Sequence, residues 1–309
     1  MADLVSITLP IFLLIGLGFA AVKLGVVGPD FIRSFGTFVI NFAMPSLILH
    51  ALLSQDLGAT FSAGFLAAYA AGSLAVALIA GLTFRYALRR PVATAAMAAL
   101  GSGVSNSGFV GLPIALMAVG APALVALPMA LLVELALVIP LSLGVAEMAT
   151  GTAVGRIAIV REAVLRLARM PVFAALIVGI VISLSGLAVP VAIGRTIDLL
   201  ANAATACALF TVGGNLAAVR RATVSGDLGW IVVAKLVLHP LAVAAALWMV
   251  GDVPPGLAAA GIILAACPML SAYPIFAQRF GLAEITAATL LATTVVSFVT
   301  LTLVVGLVR

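Results

Sequence analysis

Charge is what this chain has least of. Asp, Glu, Lys and Arg together make up 8% of its 309 residues, against about a quarter in an ordinary soluble domain. No polar stretch is long enough to build a separate soluble domain. The longest, Thr150 to Arg169, reads as a loop with a short surface helix. Cysteine is equally scarce. Cys207 and Cys267 both sit in apolar stretches without metal-ligand spacing, so neither a disulfide nor a metal centre is expected. A Gly-x-Ser-Gly nucleophile, a His-Glu-x-x-His pair, two facing intramembrane aspartates and a P-loop are all missing. Each absence removes a class of enzyme, and no cofactor is expected.

What is there is apolar: 65% of residues are hydrophobic. Runs of roughly 20 apolar residues, the length that crosses a bilayer as a helix, recur from end to end. The alternation of a membrane β-barrel is absent. The fold expected is therefore an all-α polytopic membrane protein embedded in a lipid bilayer. The first segment is too long and too weakly basic in front for a cleaved signal peptide and reads as a span. Ten spans are expected, near 4–27, 31–53, 62–86, 92–119, 122–147, 169–187, 192–217, 229–250, 256–279 and 283–307.

Basic residues orient the chain. Lys23, Arg33, Arg85, Arg89, Arg90, Arg156, Arg161, Arg166, Arg169, Arg220, Arg221 and Arg279 fall at loops on one side of such a ten-span chain, while Arg195 and Arg309 fall on the other. Cytoplasmic loops carry the excess of Lys and Arg, so both termini are expected outside the cytoplasm. The net charge of +5 then belongs to basic loops, and nucleic acid is not an expected partner.

The chain also resembles itself. An offset of 161 residues, without gaps, puts Pro10 on Pro171, Phe12 on Phe173, Gly18 on Gly179, Gly25 on Gly186 and Pro29 on Pro190. Further on it puts Pro113 on Pro274 and Gly120 on Gly281. Five spans per copy would invert the second copy in the membrane, an arrangement used by many secondary transporters. The expected units are a first repeat at 1–150, a cytoplasmic loop at 151–168 and a second repeat at 169–309.

The same offset sets SNSGFVGLP (105–113) opposite CPMLSAYP (267–274). Both interrupt a span, and paired broken helices in matching positions point to a binding site. Backbone groups freed by a break need protein or a polar cavity, because lipid cannot satisfy them. A half-helix N-terminus suits an anion. Ser105, Asn106 and Ser107 supply donors and acceptors, Gly108 admits a close backbone and Pro113 disrupts the turn before it. The plainer alternative is packing, since small residues and prolines are common in membrane helices.

Ionisable residues inside spans are functional candidates by default. Glu134 lies near mid-depth in the fifth span; Lys235 and His239 lie four apart in the eighth, on one helix face. Glu134 is expected to meet Lys235 or His239, as a proton relay or as a structural ion pair. Asp198 and Asn202 share a face of the seventh span, where Asp198 is a coupling candidate or a solvated helix end. Asn41, ahead of Pro45, is expected to satisfy a helix break lining the site. His50 reads as interfacial.

At NFAMPSLIL (41–49), NSGFVGLPI (106–114) and CPMLSAYPIFAQRFG (267–281) the chain resembles the auxin efflux carrier family, whose bacterial members include malonate carriers. The resemblance covers essentially the whole chain and implies a bacterial cytoplasmic (inner) membrane location. It implies two inverted five-helix repeats whose fourth and ninth spans cross at prolines. Spans 1, 2, 6 and 7 would form a scaffold; spans 3–5 and 8–10 would form a moving transport bundle. It also implies elevator-type exchange of a small organic anion, usually a carboxylate. Asn106 matches the asparagine that contacts the carboxylate, and Pro113 and Pro268 match the crossing prolines. Many relatives carry a second asparagine where this chain has Ala272, followed by Tyr273 and Pro274, so Ser271 or the Tyr273 hydroxyl is the expected substitute. The SAYP pattern is closer to the malonate-carrier branch, which favours a small dicarboxylate. A facilitative uniporter and an anion channel-like pore stay open as alternatives. So do H+ or Na+ as coupling ion and a homodimer as assembly.

Overall fold

A computed structural model describes residues 2–54, 62–151, 171–217 and 226–308. All regular elements among these residues are helical: α1 (Ala2–Lys23), α2 (Pro29–Leu53), α3 (Ala63–Ala87), α4 (Val92–Gly103), α5 (Ser107–Val119), α6 (Pro122–Ala149), α7 (Pro171–Ser185), α8 (Val191–Ala217), α9 (Gly226–Val250), α10 (Pro255–Ala266), α11 (Tyr273–Gln278) and α12 (Ala283–Val308). Six of them, α2, α3, α6, α8, α9 and α12, are long and apolar enough to cross a membrane. Their 25–28 residues give about 38–42 Å at 1.5 Å per residue, more than the hydrocarbon core of about 30 Å. The expected fourth and ninth spans are each two shorter helices, α4 with α5 and α10 with α11. The expected loop at 151–168 falls almost wholly outside the described residues, as do Arg220 and Arg221.

Prolines shape the long helices in a regular way. Four π turns, Val39–Ala43, Ser107–Gly111, Glu134–Val138 and Ala234–Leu238, each end two residues before a proline: Pro45, Pro113, Pro140 and Pro240. A proline inside a helix lacks its N–H and crowds the carbonyl four residues back. Widening the preceding turn by one residue relieves that crowding without breaking the helix. It also re-aims the side chains of the widened turn. Glu134 opens one such turn and Lys235 lies in another.

The densest packing falls into two sets of helices. In the first, α1 lies along α8, and α2 lies along α7 and α8. In the second, α3 packs on α9 and α4, α4 on α6, and α10 on α6, α9 and α12. Close approach in the second set depends on Gly72: a Cβ there would sit 2.7 Å from the Cα of Val243 in α9. Two ion pairs tie ends of this set together. Arg90, in the α3–α4 corner, meets Asp227 of α9 at 2.8 Å, and Arg279, after α11, meets Glu147 near the end of α6. Thinner contacts join the sets, chiefly α1 to α12 and α5, α2 to α6, and α8 to the start of α5.

Candidate functional site

The two breaks meet. Helix α4 ends at Gly103, α10 at Ala266, and the extended residues beyond them run antiparallel. Ser105 and Met269 form an isolated bridge, and the Asn106 N–H donates to the Pro268 carbonyl at 2.8 Å. Each unwound strand thus satisfies backbone groups of the other, which is what a helix break inside a membrane requires. The Asn106 carbonyl accepts from the N–H groups of Val110 and Gly111, both at 3.0 Å, and so starts α5. Pro274 stands in the first turn of α11, where a missing N–H is harmless, and Pro113 follows the π turn that opens α5. At Gly108, a Cβ would sit 2.5 Å from the Met44 methyl of α2, so the tip of α5 rests against the first set of helices beside buried Pro45.

Asn106 is 1% exposed. Its amide nitrogen donates to the Ser271 hydroxyl at 2.8 Å, and its Oδ1 is buried with no partner. A serine hydroxyl can donate or accept. A flip of the Asn106 amide therefore keeps the Ser271 bond and exchanges which atom is left over. A carboxylate would select the orientation with the NH2 outward and Ser271 donating to Oδ1.

The neighbouring polar groups are engaged elsewhere. Glu134 Oε1 accepts from the Ser105 N–H at 3.2 Å, the Ser107 hydroxyl at 2.8 Å and the Tyr69 hydroxyl at 3.1 Å. Lys235 Nζ donates to Ser105 Oγ at 2.6 Å and to the Ala265 carbonyl at 3.1 Å, and lies 2.7 Å from His239 Nδ1. His239 Nε2 is 2.9 Å from Ser73 Oγ. Lys235 therefore meets His239 directly, while it and Glu134 both bond Ser105. The Tyr273 hydroxyl donates to the Met97 carbonyl at 2.9 Å, with its ring where a side chain on Gly101 would stand. Ala272 immediately precedes α11 and is half-buried.

Two other candidates bond groups outside the crossing. Asn41 is exposed and donates to the Thr37 carbonyl of its own helix at 2.7 Å. Asp198 pairs with His50 at 2.8 Å, both side chains about half-exposed. That pair lines an open cleft of about 530 Å³ with Ser54, Ser183, Ile197 and Leu187. Tyr69 and Ser73 were not singled out from sequence. Their signal is a polar pair four apart on one face of an apolar helix, the spacing shared by Lys235 and His239.

One prediction arises here. Tyr273→Phe removes the bond to Met97 and nothing else in contact with Asn106. It is expected to lower stability by about 1 kcal/mol and to leave ligand affinity unchanged, as thermal unfolding and calorimetry would read.

Long apolar helices joined by a buried polar crossing define a multi-pass helical membrane protein. The family described as "Membrane transport protein" matches residues 4–305, and the chain belongs to that family. The resemblance to auxin efflux carriers read from its motifs holds across the chain. A protein of Rhizobium meliloti (strain 1021) described as "Putative malonate transporter" is 29% identical to it over 312 residues, covering 100% of this chain and 97% of that protein. Family and relative are both described as transport proteins.

Proposed function

We propose that the protein is a secondary active transporter of small organic anions, with a dicarboxylate of malonate size as its best candidate substrate. The observation that carries this reading is the Asn106 amide. It sits at the crossing of two broken helices, buried, with one atom unengaged, at the N-terminal end of α5, where the helix dipole favours negative charge. Ser271 orients it, and the backbones of Gly108, Pro113, Pro268, Ala272 and Pro274 shape the surroundings. The relative's description supports the choice of malonate.

The architecture proposed is ten spans in two inverted repeats, 1–150 and 169–309, joined by a cytoplasmic loop. Four glycines support the repeat. Gly25 and Gly186, and Gly120 and Gly281, all have φ between 66° and 74°, and each pair is 161 residues apart. The two packing sets support a scaffold of α1, α2, α7 and α8 and a moving bundle of the other helices, with elevator-type exchange of access. The protein is placed in a bacterial inner membrane with both termini outside the cytoplasm.

The test uses purified protein in liposomes. Radiolabelled malonate is expected to enter saturably and to accumulate by counterflow when the liposomes are preloaded with unlabelled malonate. Uptake without saturation or counterflow would replace the carrier by a pore. In a thermal-shift panel of mono- and dicarboxylates, a ligand that binds the folded state raises the unfolding temperature. A flat panel would remove carboxylates as substrates.

A further inference from the structure

We propose that Ser105 is a positioning residue, bridging Lys235 and Glu134 as a fixed pair of opposite charges that holds Asn106 in place without carrying a proton. This rests on the transport reading of the crossing and assigns Ser105 and Ser107 to its support, not to the ligand.

The bridge is built from both ends of one residue. The Ser105 N–H bonds Glu134, and its hydroxyl bonds Lys235. Asn106 follows directly, with its own N–H on Pro268. Glu134 comes from α6, Lys235 from α9 and Ser105 from the break after α4, so the bridge joins both halves of the chain. Glu134, Lys235 and Ser105 are each no more than 1% exposed. A buried charge persists only when paired and hydrogen-bonded.

The partners fit an ammonium and a carboxylate. Lys235 has three donors and three acceptors around it: Ser105 Oγ, His239 Nδ1 and the Ala265 carbonyl. Glu134 has three groups able to donate to one oxygen. Hydroxyls and imidazole can reverse their roles, but two contacts cannot. The Ser105 N–H can only donate and the Ala265 carbonyl can only accept, so Glu134 Oε1 is an acceptor and Lys235 Nζ a donor at these contacts. The titratable neighbours are Tyr69 from α3, His239 from α9 and Cys267 after α10. Tyr69 donates to Glu134, and His239 accepts from Lys235 and reaches Ser73. Cys267 lies within electrostatic reach of both charges and donates to the Ile263 carbonyl. Tyr69 and His239 have partners within the network, and Cys267 bonds its own helix.

The experiment is a mutant cycle in full-length protein. Glu134→Gln and Lys235→Met are each expected to lower the unfolding temperature, because each strands a buried charge. The double variant is expected to lose less than the two single losses combined. Its malonate binding is expected to weaken about as much as that of Ser105→Ala, with an unaltered pH profile of uptake. Ser105→Ala is expected to weaken malonate binding about tenfold in the wild-type background and to have little further effect in the double variant. Additive losses, a double variant that does not fold, a flattened pH profile or an equal Ser105→Ala penalty in both backgrounds would each overturn the proposal. The unfolding temperatures need no substrate. If wild-type protein transports no carboxylate, the transport reading falls while the thermal cycle still decides whether the charges are a compensated pair.

Discussion

Asn106→Ala is expected to abolish carboxylate binding and transport without unfolding the protein. A hydrogen bond to a charged group contributes about 1.5–3 kcal/mol, so losing it alone weakens binding by about 10- to 150-fold. Stability should respond in the opposite sense. The backbone bonds of Asn106 to Pro268, Val110 and Gly111 survive the substitution, and the side chain gives up only its bond to Ser271. Removing Oδ1 also removes a buried acceptor that has no partner, a group whose desolvation costs about 1–3 kcal/mol. The unfolding temperature of the empty protein should therefore hold steady or rise. Natural binding sites often give up stability in this way. Calorimetry with malonate and thermal unfolding of the same preparation read the two effects separately. Full transport by the alanine variant would remove Asn106 from the site. A large fall in unfolding temperature would make it a structural residue.

Much of this arrangement is written in the order of residues. Apolar runs gave the helices, and glycine, serine and proline between Ser105 and Pro113 marked the first break. Glycines at a fixed offset marked helix ends that share one positive backbone angle. The prolines carried more than was read from them. Pro45, Pro113, Pro140 and Pro240 each place a widened turn two residues upstream, and two of those turns carry Glu134 and Lys235. The pairings were the illegible part. Ser105, Asn106 and Ser107 look equivalent as polar residues in one break. The backbone changes from extended at Ser105 to helical at Ser107, so neighbours in sequence can serve different partners. Ser105 and Ser107 reach Glu134 or Lys235, and Asn106 reaches Ser271. His50 and Asp198 are 148 residues apart, and no pattern in sequence announces that contact.

The largest loss of stability is expected at two glycines where α1 meets α8. Helices α1 and α8 touch backbone to backbone. A Cβ on Gly18 would overlap the Phe210 carbonyl oxygen, with the Phe210 carbonyl carbon at 2.8 Å. A Cβ on Gly213 would overlap the Ile15 carbonyl oxygen, with the Phe19 nitrogen at 2.8 Å. A crowded side chain can rotate away, whereas a helix carbonyl cannot without giving up its own hydrogen bond. Gly213→Ala and Gly18→Ala should each force the two helices apart, at about 3 kcal/mol or more, the upper end of overpacking costs. Gly16→Ala is the control on the same helix. Nothing lies within 4 Å of its added methyl, and alanine favours the helix by about 1 kcal/mol over glycine, so it should be neutral or stabilising. Gly179, the 161-residue counterpart of Gly18, discriminates further. Its nearest neighbour is the Leu52 methyl at 2.5 Å, the end of a side chain that can move. Gly179→Ala should cost about 1 kcal/mol. Unfolding temperatures of the four variants in detergent give the order directly. If Gly213→Ala matched Gly16→Ala, the close crossing of α1 and α8 would be wrong. A rigid scaffold for the moving bundle would then lose its physical basis, because that crossing joins the first half of the chain to the second within the scaffold set.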